Sequence, residues 1–447
     1  MEEQNRVILE TVRDMLARGD PGQAVTTLER LHSPDAADVL SRLGLDSEVK
    51  VLTAMDVKSA ARALFEMEDE HQVAIAEKLK SSELSGLIES MPLDEAADLL
   101  GDISEERRRV VLRLFAPELA DELENLLVYH DATAGGLMTP DYISVGPRAT
   151  VEETIESLRA VDPDVETIYY VYVVSDDGTL EGVLSLRELI VSPPNRLVER
   201  IMSTELIKVL PDMDQEDVAE LISKYNLLAV PVVEPNDKML GIVTVDDVMD
   251  VIGDEAEEDI MRFAGAAAPE EREGGLWANI GRRLPWFFVV IVVELLVAGG
   301  ILKLYTPVLE KVIVLVFFIP LLVTMGGNIA IQSSTVMAHS VDTGKFLSQE
   351  MIRGVLGEVL WGVLVGVVTG GVVAAFSYAF HLGTYVGLVV GLSLALTVIA
   401  ASVVGCALPV ALGALDRDPA GASGPLYGTV MDVLSLAIYL GIGRLFI

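Results

Sequence analysis

DDVMDVIGDEAEED, residues 246–259, is a run of acids and apolar residues without a single base. On a helix, Asp247, Asp250, Asp254 and Glu258 lie three, four and four residues apart and share one face. Like charges at these spacings cost about 0.2–0.5 kcal/mol per pair. A stable helix here therefore needs something outside the run to offset the repulsion. The run also marks a divide, because the chain before it is acidic and the chain after it is apolar.

The formal net charge of −36 over 447 residues falls entirely in the first 275. Beyond them, eight acids and eight bases cancel. A surface this acidic repels nucleic-acid phosphates and excludes a nucleic-acid partner. It fits cation binding, or equally general solubility and adaptation to salt. The lone cysteine, Cys406, lies inside an apolar run. No disulfide forms within one chain, which is consistent with a cytosolic soluble part. The opening MEEQNRVILETVRDML is charged and amphipathic and does not read as a signal peptide.

Five apolar stretches follow, at 284–305, 311–338, 353–380, 384–414 and 425–446. Each exceeds the about 20 residues that cross a bilayer. An odd number of spans places the two termini on opposite sides. With the acidic part inside, Arg282, Arg283, Lys345, Arg353 and Arg417 flank the inner ends. Lys303, Lys311 and Arg444 flank the outer ends, which leaves the C-terminus outside and agrees with the positive-inside bias. Repeated small residues such as VLVGVVTGGVVAA (363–375) fit close helix packing in lipid.

Two places in the spans stand out. PLLVTMGGNIAIQSST (320–335) sets Pro320, Gly326, Gly327, Asn328 and Gln332 in one membrane helix. Pro320 removes a backbone donor and can kink the helix. Polar side chains here face protein or water rather than lipid. They read either as interhelical hydrogen-bonding groups or as a pore lining, and the pore lining is preferred. The second place is Asp432, the only charge between Pro425 and Arg444. An acid at mid-membrane costs roughly 2.5–3.5 kcal/mol and is functional by default. Asp432 lies about 10 Å and Asn328 roughly 15 Å from the inner surface, so the two meet near one depth. Glu358 lies near an inner span end, whereas Glu294 has no assignable role from sequence.

Residues 1–130 repeat short Ala/Leu-faced helices, as in PDAADVLSRL (34–43), KSAARALFEM (58–67) and LDEAADLLGDI (93–103). They predict a helical superhelix. Residues 138–252 form two matched halves of strand, helix, apolar strand, turn and G-[VI]-[LV]-[ST]-x-x-[DE]. This pattern resembles a tandem pair of CBS domains, a regulatory module that often binds adenosine nucleotides. The resemblance places Ser185/Glu188 and Thr244/Asp247 where a ribose is held. Arg187 then stands at a phosphate and Tyr170 against a base. A pair that senses without nucleotide is the other reading.

The acidic helix follows the second CBS half and leads to the first span. A divalent cation bridging it to another acidic segment turns repulsion into attraction, and Mg2+ suits this role through carboxylates and retained waters. Opposing acids are Asp94 and Asp98, Asp214 and Glu216, and Asp418. Asp214 also reads as an N-cap, and Asp418 as a cap before the helix that follows Pro419.

Taken together, these segments resemble the MgtE family of magnesium channels across essentially the whole chain. The family pattern of Pro, then Gly-Gly-Asn-x-Gly-x-Gln, matches at Pro320, Gly326, Gly327, Asn328 and Gln332. It departs at Ala330, where glycine is usual. The resemblance implies an all-α N-terminal superhelical domain (1–130), α/β CBS domains (131–200 and 201–253), a connecting helix and linker (254–283), and a five-helix transmembrane pore domain (284–447). It implies a homodimer in the inner membrane with Asp432 as the pore acid. Cytosolic Mg2+ would close the pore by bridging Asp94 and Asp98 to Asp247 and Asp250, and Glu255, Glu258 and Asp259 toward Asp418. ATP is a further regulatory ligand by the CBS resemblance. An anion or organic-solute transporter needs basic or donor-rich membrane sites, and the acidic charge within the spans disfavours anions. A transporter of Co2+ or Mn2+ and a non-transporting Mg2+ or nucleotide sensor remain as alternatives. An enzyme is not expected, because there is no phosphate loop, zinc motif or nucleophile–base pair.

Overall fold

The computed structural model describes residues 2–160, 168–263, 275–342, 349–414 and 424–446. It divides into two compact units, Met1–Gly253 and Asp254–Ile447.

The first unit begins with helices α1 (Glu2–Ala17) to α10 (Pro117–Leu126). Each packs on the helix two places further along, so odd and even members form two stacked rows. This is the expected superhelix, and the repeated alanine pairs explain it. Ala36 and Ala37, Ala60 and Ala61, and Ala96 and Ala97 are all buried. Methyl-sized side chains at matching positions let successive helices approach closely, while the leucines beside them supply the apolar area.

The matched halves that follow are two small sheets. In the first, β1 (Ser144–Val145) runs parallel to β2 (Tyr170–Val174), which is antiparallel to β3 (Leu180–Ser185). In the second, β4 (Ala229–Val233) is antiparallel to β5 (Met239–Thr244), and Val209 bridges parallel to Val232 in the place of β1. The halves exchange edges: Ser203 pairs with Val183 of the first sheet and Thr139 with Ile242 of the second. The glycine of each repeated motif follows from this exchange. A Cβ at Gly182 would sit 2.6 Å from Met202 Sδ, and one at Gly241 would sit 2.6 Å from the Thr139 carbonyl oxygen. One continuous core joins the superhelix to the second half through Val218, Ile222, Val230 and Val248. Helices α11 (Val151–Ala160), α12 (Leu186–Val191) and α13 (Gln215–Tyr225) complete the pair, and α14 (Val245–Phe263) carries the acidic run.

The second unit holds five helices long and apolar enough to cross a membrane: Phe287–Leu304, Ile313–Ala338, Met351–Ala379, Thr384–Leu412 and Gly424–Phe446. The first comprises α15 (Gly275–Val293), a π-helical turn Glu294–Ala298, and α16 (Gly299–Leu304). After the short α17 (Thr306–Lys311), the second joins a 3-10 segment, Ile313–Phe318, to α18 (Ile319–Asp342). The last three are α19 (Gln349–Ala379), α20 (Thr384–Gly413) and α21 (Gly424–Phe446). Helices α18, α20 and α21 pack on one another, and α19 packs chiefly on α20. Leu322, Ile329, Val398 and Met431 fill the centre, and the Tyr439 hydroxyl donates to the Leu315 carbonyl at 2.8 Å.

Pro320 does not kink a helix. It occupies the second residue of α18, where its missing N–H would have had no intrahelical partner, so it starts the helix after the 3-10 segment.

Candidate functional site

Helix α18 buries one side and leaves the other open. Leu322, Gly326, Ile329, Ala330, Ser333 and Ser334 are buried, whereas Thr324, Asn328, Gln332 and Thr335 are exposed. The four exposed residues follow spacings of four, four and three, a single polar stripe on an apolar helix. Among the described residues, none covers this stripe.

Gly326 brings α18 against its neighbours. A Cβ there would lie 2.7 Å from Ser435 Oγ and 3.1 Å from both Met431 Cε and Thr397 Cγ2. Gly327 faces Gly428, whose Cα would stand 3.9 Å from an added Cβ. Asp432 follows Gly428 by one turn of α21 and adjoins Met431, so the glycine pair sets α18 beside the segment that carries this acid. Ala330 is fully buried against α20, where Gly405 supplies the room: a Cβ at Gly405 would stand 2.4 Å from the Ala330 carbonyl oxygen. The π-helical turn packs on α21, and Glu294 on it is an electrostatic neighbour of the Asp432 carboxyl. Sequence reading had no signal for this partner, because Glu294 is remote in the chain and its facing depends on the turn.

Asp94 and Glu95 of helix α8 (Leu93–Asp102) feel the charge of Asp247 on α14, whereas the acids around Asp98 are Asp131, Asp94, Asp102 and Asp69. Asp94 is buried, and its Oδ1 has no hydrogen-bond partner. Burial, reinforced by the Asp247 carboxylate, pushes its carboxyl up to about 7. Burial pushes Glu95 to about 8, with Asp94, Asp98 and Asp247 adding to it. Asp247 rises to about 6 through burial, against the bond it accepts from the Thr244 hydroxyl at 2.5 Å. Crowding by protein and by Asp131 and Asp94 also raises Asp98, to about 8. Its side chain stays open to solvent, so water tempers that rise more than it does for Asp94.

Burial, then Asp250, raises the Glu66 carboxyl, so Asp250 also faces an acid of the superhelix. Asp214 caps α13, accepting from the Glu216 N–H at 3.0 Å, and both residues are exposed. Glu258 pairs with Arg262, the first base after the acidic run, while Glu255 and Asp259 lie on the same helix. Asp418 lies outside the described residues. Among the described residues, no three acids, histidines or cysteines converge as metal ligands. The seam between α8 and α14 is thus a region of strong negative potential with an unpartnered buried oxygen. Those features fit a cation that keeps part of its water shell.

Between the CBS halves, a cleft of about 100 Å³ is lined by Tyr170, Tyr172, Val183, Glu205, Leu206, Ile207, Leu227, Ala229 and Pro231. Of the predicted nucleotide residues only Tyr170 lines it. Ser185 and Glu188 close a reciprocal capping box at the start of α12, with Ser185 N–H donating to Glu188 at 2.8 Å. Arg187 is exposed beside them. Sequence reading missed Tyr172, whose hydroxyl is buried without a partner. The alternation along β2 puts it on the Tyr170 face.

Comparison with known proteins adds to this geometry. Residues 319–442 match the MgtE family, described as divalent cation transporters. Residues 14–132 match the MgtE intracellular N domain, and residues 134–193 and 198–254 match CBS domains. The magnesium transporter MgtE of Thermus thermophilus is 36% identical over 450 residues, covering 100% of this chain and 99% of the relative. Its namesake in Bacillus subtilis is 32% identical over 422 residues, covering 94% and 93%. A crystal structure of the cytosolic domain of the Mg2+ channel MgtE in complex with ATP is similar at 38% identity with a TM-score of 0.52, covering 54% of this chain and 99% of that one. The structure of the soluble part of a magnesium transporter is 34% identical with a TM-score of 0.52, covering 57% and 99%. With an acidic superhelix, a CBS pair and five apolar spans, the chain belongs to the MgtE family of magnesium transporters.

Proposed function

We propose that this protein is a homodimeric Mg2+-selective channel for magnesium uptake across the inner membrane. Its soluble part and N-terminus lie in the cytoplasm and its C-terminus outside, and cytosolic Mg2+ closes it. The uncovered stripe of Thr324, Asn328, Gln332 and Thr335 on α18 carries this reading. Polar side chains in a span do not face lipid, so the stripe needs water and a second copy of the chain across from it. Asp432 sits beside the same stretch of α18 and supplies negative charge for the ion. A hydrated divalent cation is held through its waters by Asp432 of two copies, with Asn328 and backbone oxygens assisting.

The dimer has support in the soluble unit as well. Met249 and Ile252 on α14 and Ile190 and Val191 on α12 are large apolar side chains left exposed on the CBS helices. Large apolar side chains left open to water on this module support an interaction surface there.

Closure is a population shift. Mg2+ binding between α8 and α14 favours the arrangement in which the acids are close, and loss of Mg2+ lets them repel. The ions that Glu255, Glu258, Asp259 and Asp418 hold act in the same direction. ATP is a regulatory ligand of the CBS cleft, stacking on Tyr170.

The test is Mg2+ uptake into liposomes holding the purified full chain. Uptake that saturates, falls with Mg2+ on the soluble side and disappears in Asp432→Ala supports the channel. Flux of Co2+ or Mn2+ with little Mg2+ flux identifies a different divalent cargo, and no flux of any ion leaves a sensor.

A further inference from the structure

We propose that Glu294 is a second charged group at the permeation site, set beside Asp432 by the π-helical turn of the first span. This rests on the reading of Asp432 as the pore acid.

Three observations carry it. First, the Glu294 carbonyl accepts from the Gly299 N–H, five residues on, which defines the π turn. A π turn holds one residue more than an α turn, so the helix before it is rotated by about 100° relative to the helix after it. Restoring an α turn would swing Glu294 around the span axis. Second, the turn packs on α21, the helix of Asp432, which makes the two carboxyls electrostatic neighbours. Third, Glu294 Oε1 is enclosed without a hydrogen-bond partner. Two neighbouring carboxyl groups facing one path offer several oxygen donors to a hard divalent cation. In a cation path the occupant that satisfies both, and the spare oxygen, is the permeating divalent ion.

The experiment compares Mg2+ uptake by the full chain in liposomes across a range of Mg2+ concentrations. Glu294→Gln keeps the shape and removes the charge. It is expected to raise the half-saturating Mg2+ concentration about tenfold, at ordinary interaction strengths for a partly screened charge pair. The maximal rate changes far less, and dimers persist. Glu294→Asp recovers most of the affinity. An unchanged half-saturation in Glu294→Gln overturns the proposal, because an amide supplies no charge for an ion. Should Glu294→Gln fail to reach the membrane, Glu294→Asp against Glu294→Asn makes the same comparison. Asp432→Asn separates the two levels. Uptake that survives it removes the underlying reading of Asp432. Uptake lost in it, with Glu294→Gln at wild-type affinity, sinks only the role of Glu294.

Discussion

Asp94 on α8 is buried against the field of Asp247 on α14, and the carboxyls rise to about 7 and about 6. Folding therefore raises these groups above their ordinary carboxylate values. The folded unit binds more protons than the unfolded chain between pH 4 and about 8, so stability is greatest at the acid side and is lost as pH rises through this window. The soluble unit without divalent metal should lose about 5 °C or more of Tm between pH 5.5 and pH 8. Millimolar Mg2+ should recover the loss at pH 8 and do little at pH 5.5. Differential scanning calorimetry at both pH values checks this, and a pH-independent Tm contradicts the account of the seam.

Neutralising the most buried acid should imitate the ion. Asp94→Asn is expected to stabilise the metal-free unit by about 1–3 kcal/mol at pH 8. It should also weaken the protection that Mg2+ gives against limited proteolysis. A variant with wild-type protection would remove Asp94 from the Mg2+ response.

Gly326 and Ala330 make opposite predictions at neighbouring turns. Gly326→Ala drives a methyl to 2.7 Å from Ser435 Oγ, with Met431 and Thr397 also close. Overpacking of this kind costs about 1–3 kcal/mol, and the shift of α21 should lower Mg2+ uptake severalfold. Ala330→Gly should change uptake by less than about twofold, because Gly405 already provides the space. Thermal stability in detergent and liposome uptake measure both.

Tyr172 offers a test of the cleft. Its hydroxyl is buried with no partner, so Tyr172→Phe should leave the ligand-free unit as stable or more stable by up to about 1 kcal/mol. If the hydroxyl is held for a nucleotide, ATP binding by equilibrium dialysis should weaken about fivefold or more. Equal affinity for ATP in the variant would place the nucleotide elsewhere.

The large features were legible because their signals are long and redundant. The five apolar runs, the alanine-paired helices and the two G-[VI]-[LV]-[ST] repeats each span a whole element. Asn328 and Gln332 were legible as polar residues inside an apolar span, and the stripe they form emerged with the exposure pattern of α18. What escaped depends on single local choices of backbone. Pro320 reads as a kink until the 3-10 segment before it makes it a helix start. Glu294 has no reading until one extra residue in a turn aims it at α21. Tyr172 looks like an ordinary strand residue, since only the packing of the second half shows that its hydroxyl has nothing to bond. Ser185 and Glu188 were read for a ligand, and the structure shows that they also bond each other, a use their spacing of three allows on any helix start.

The exchanged edges at Ser203 and Thr139 have an implication for how this module is handled. Each sheet is completed by chain that arrives from the other repeat, so neither repeat is a separable part. Cutting the chain between them would strip a partner from both sheets at once and leave open backbone ready to join foreign strands. The two repeats therefore fold as one module, to be expressed and engineered whole.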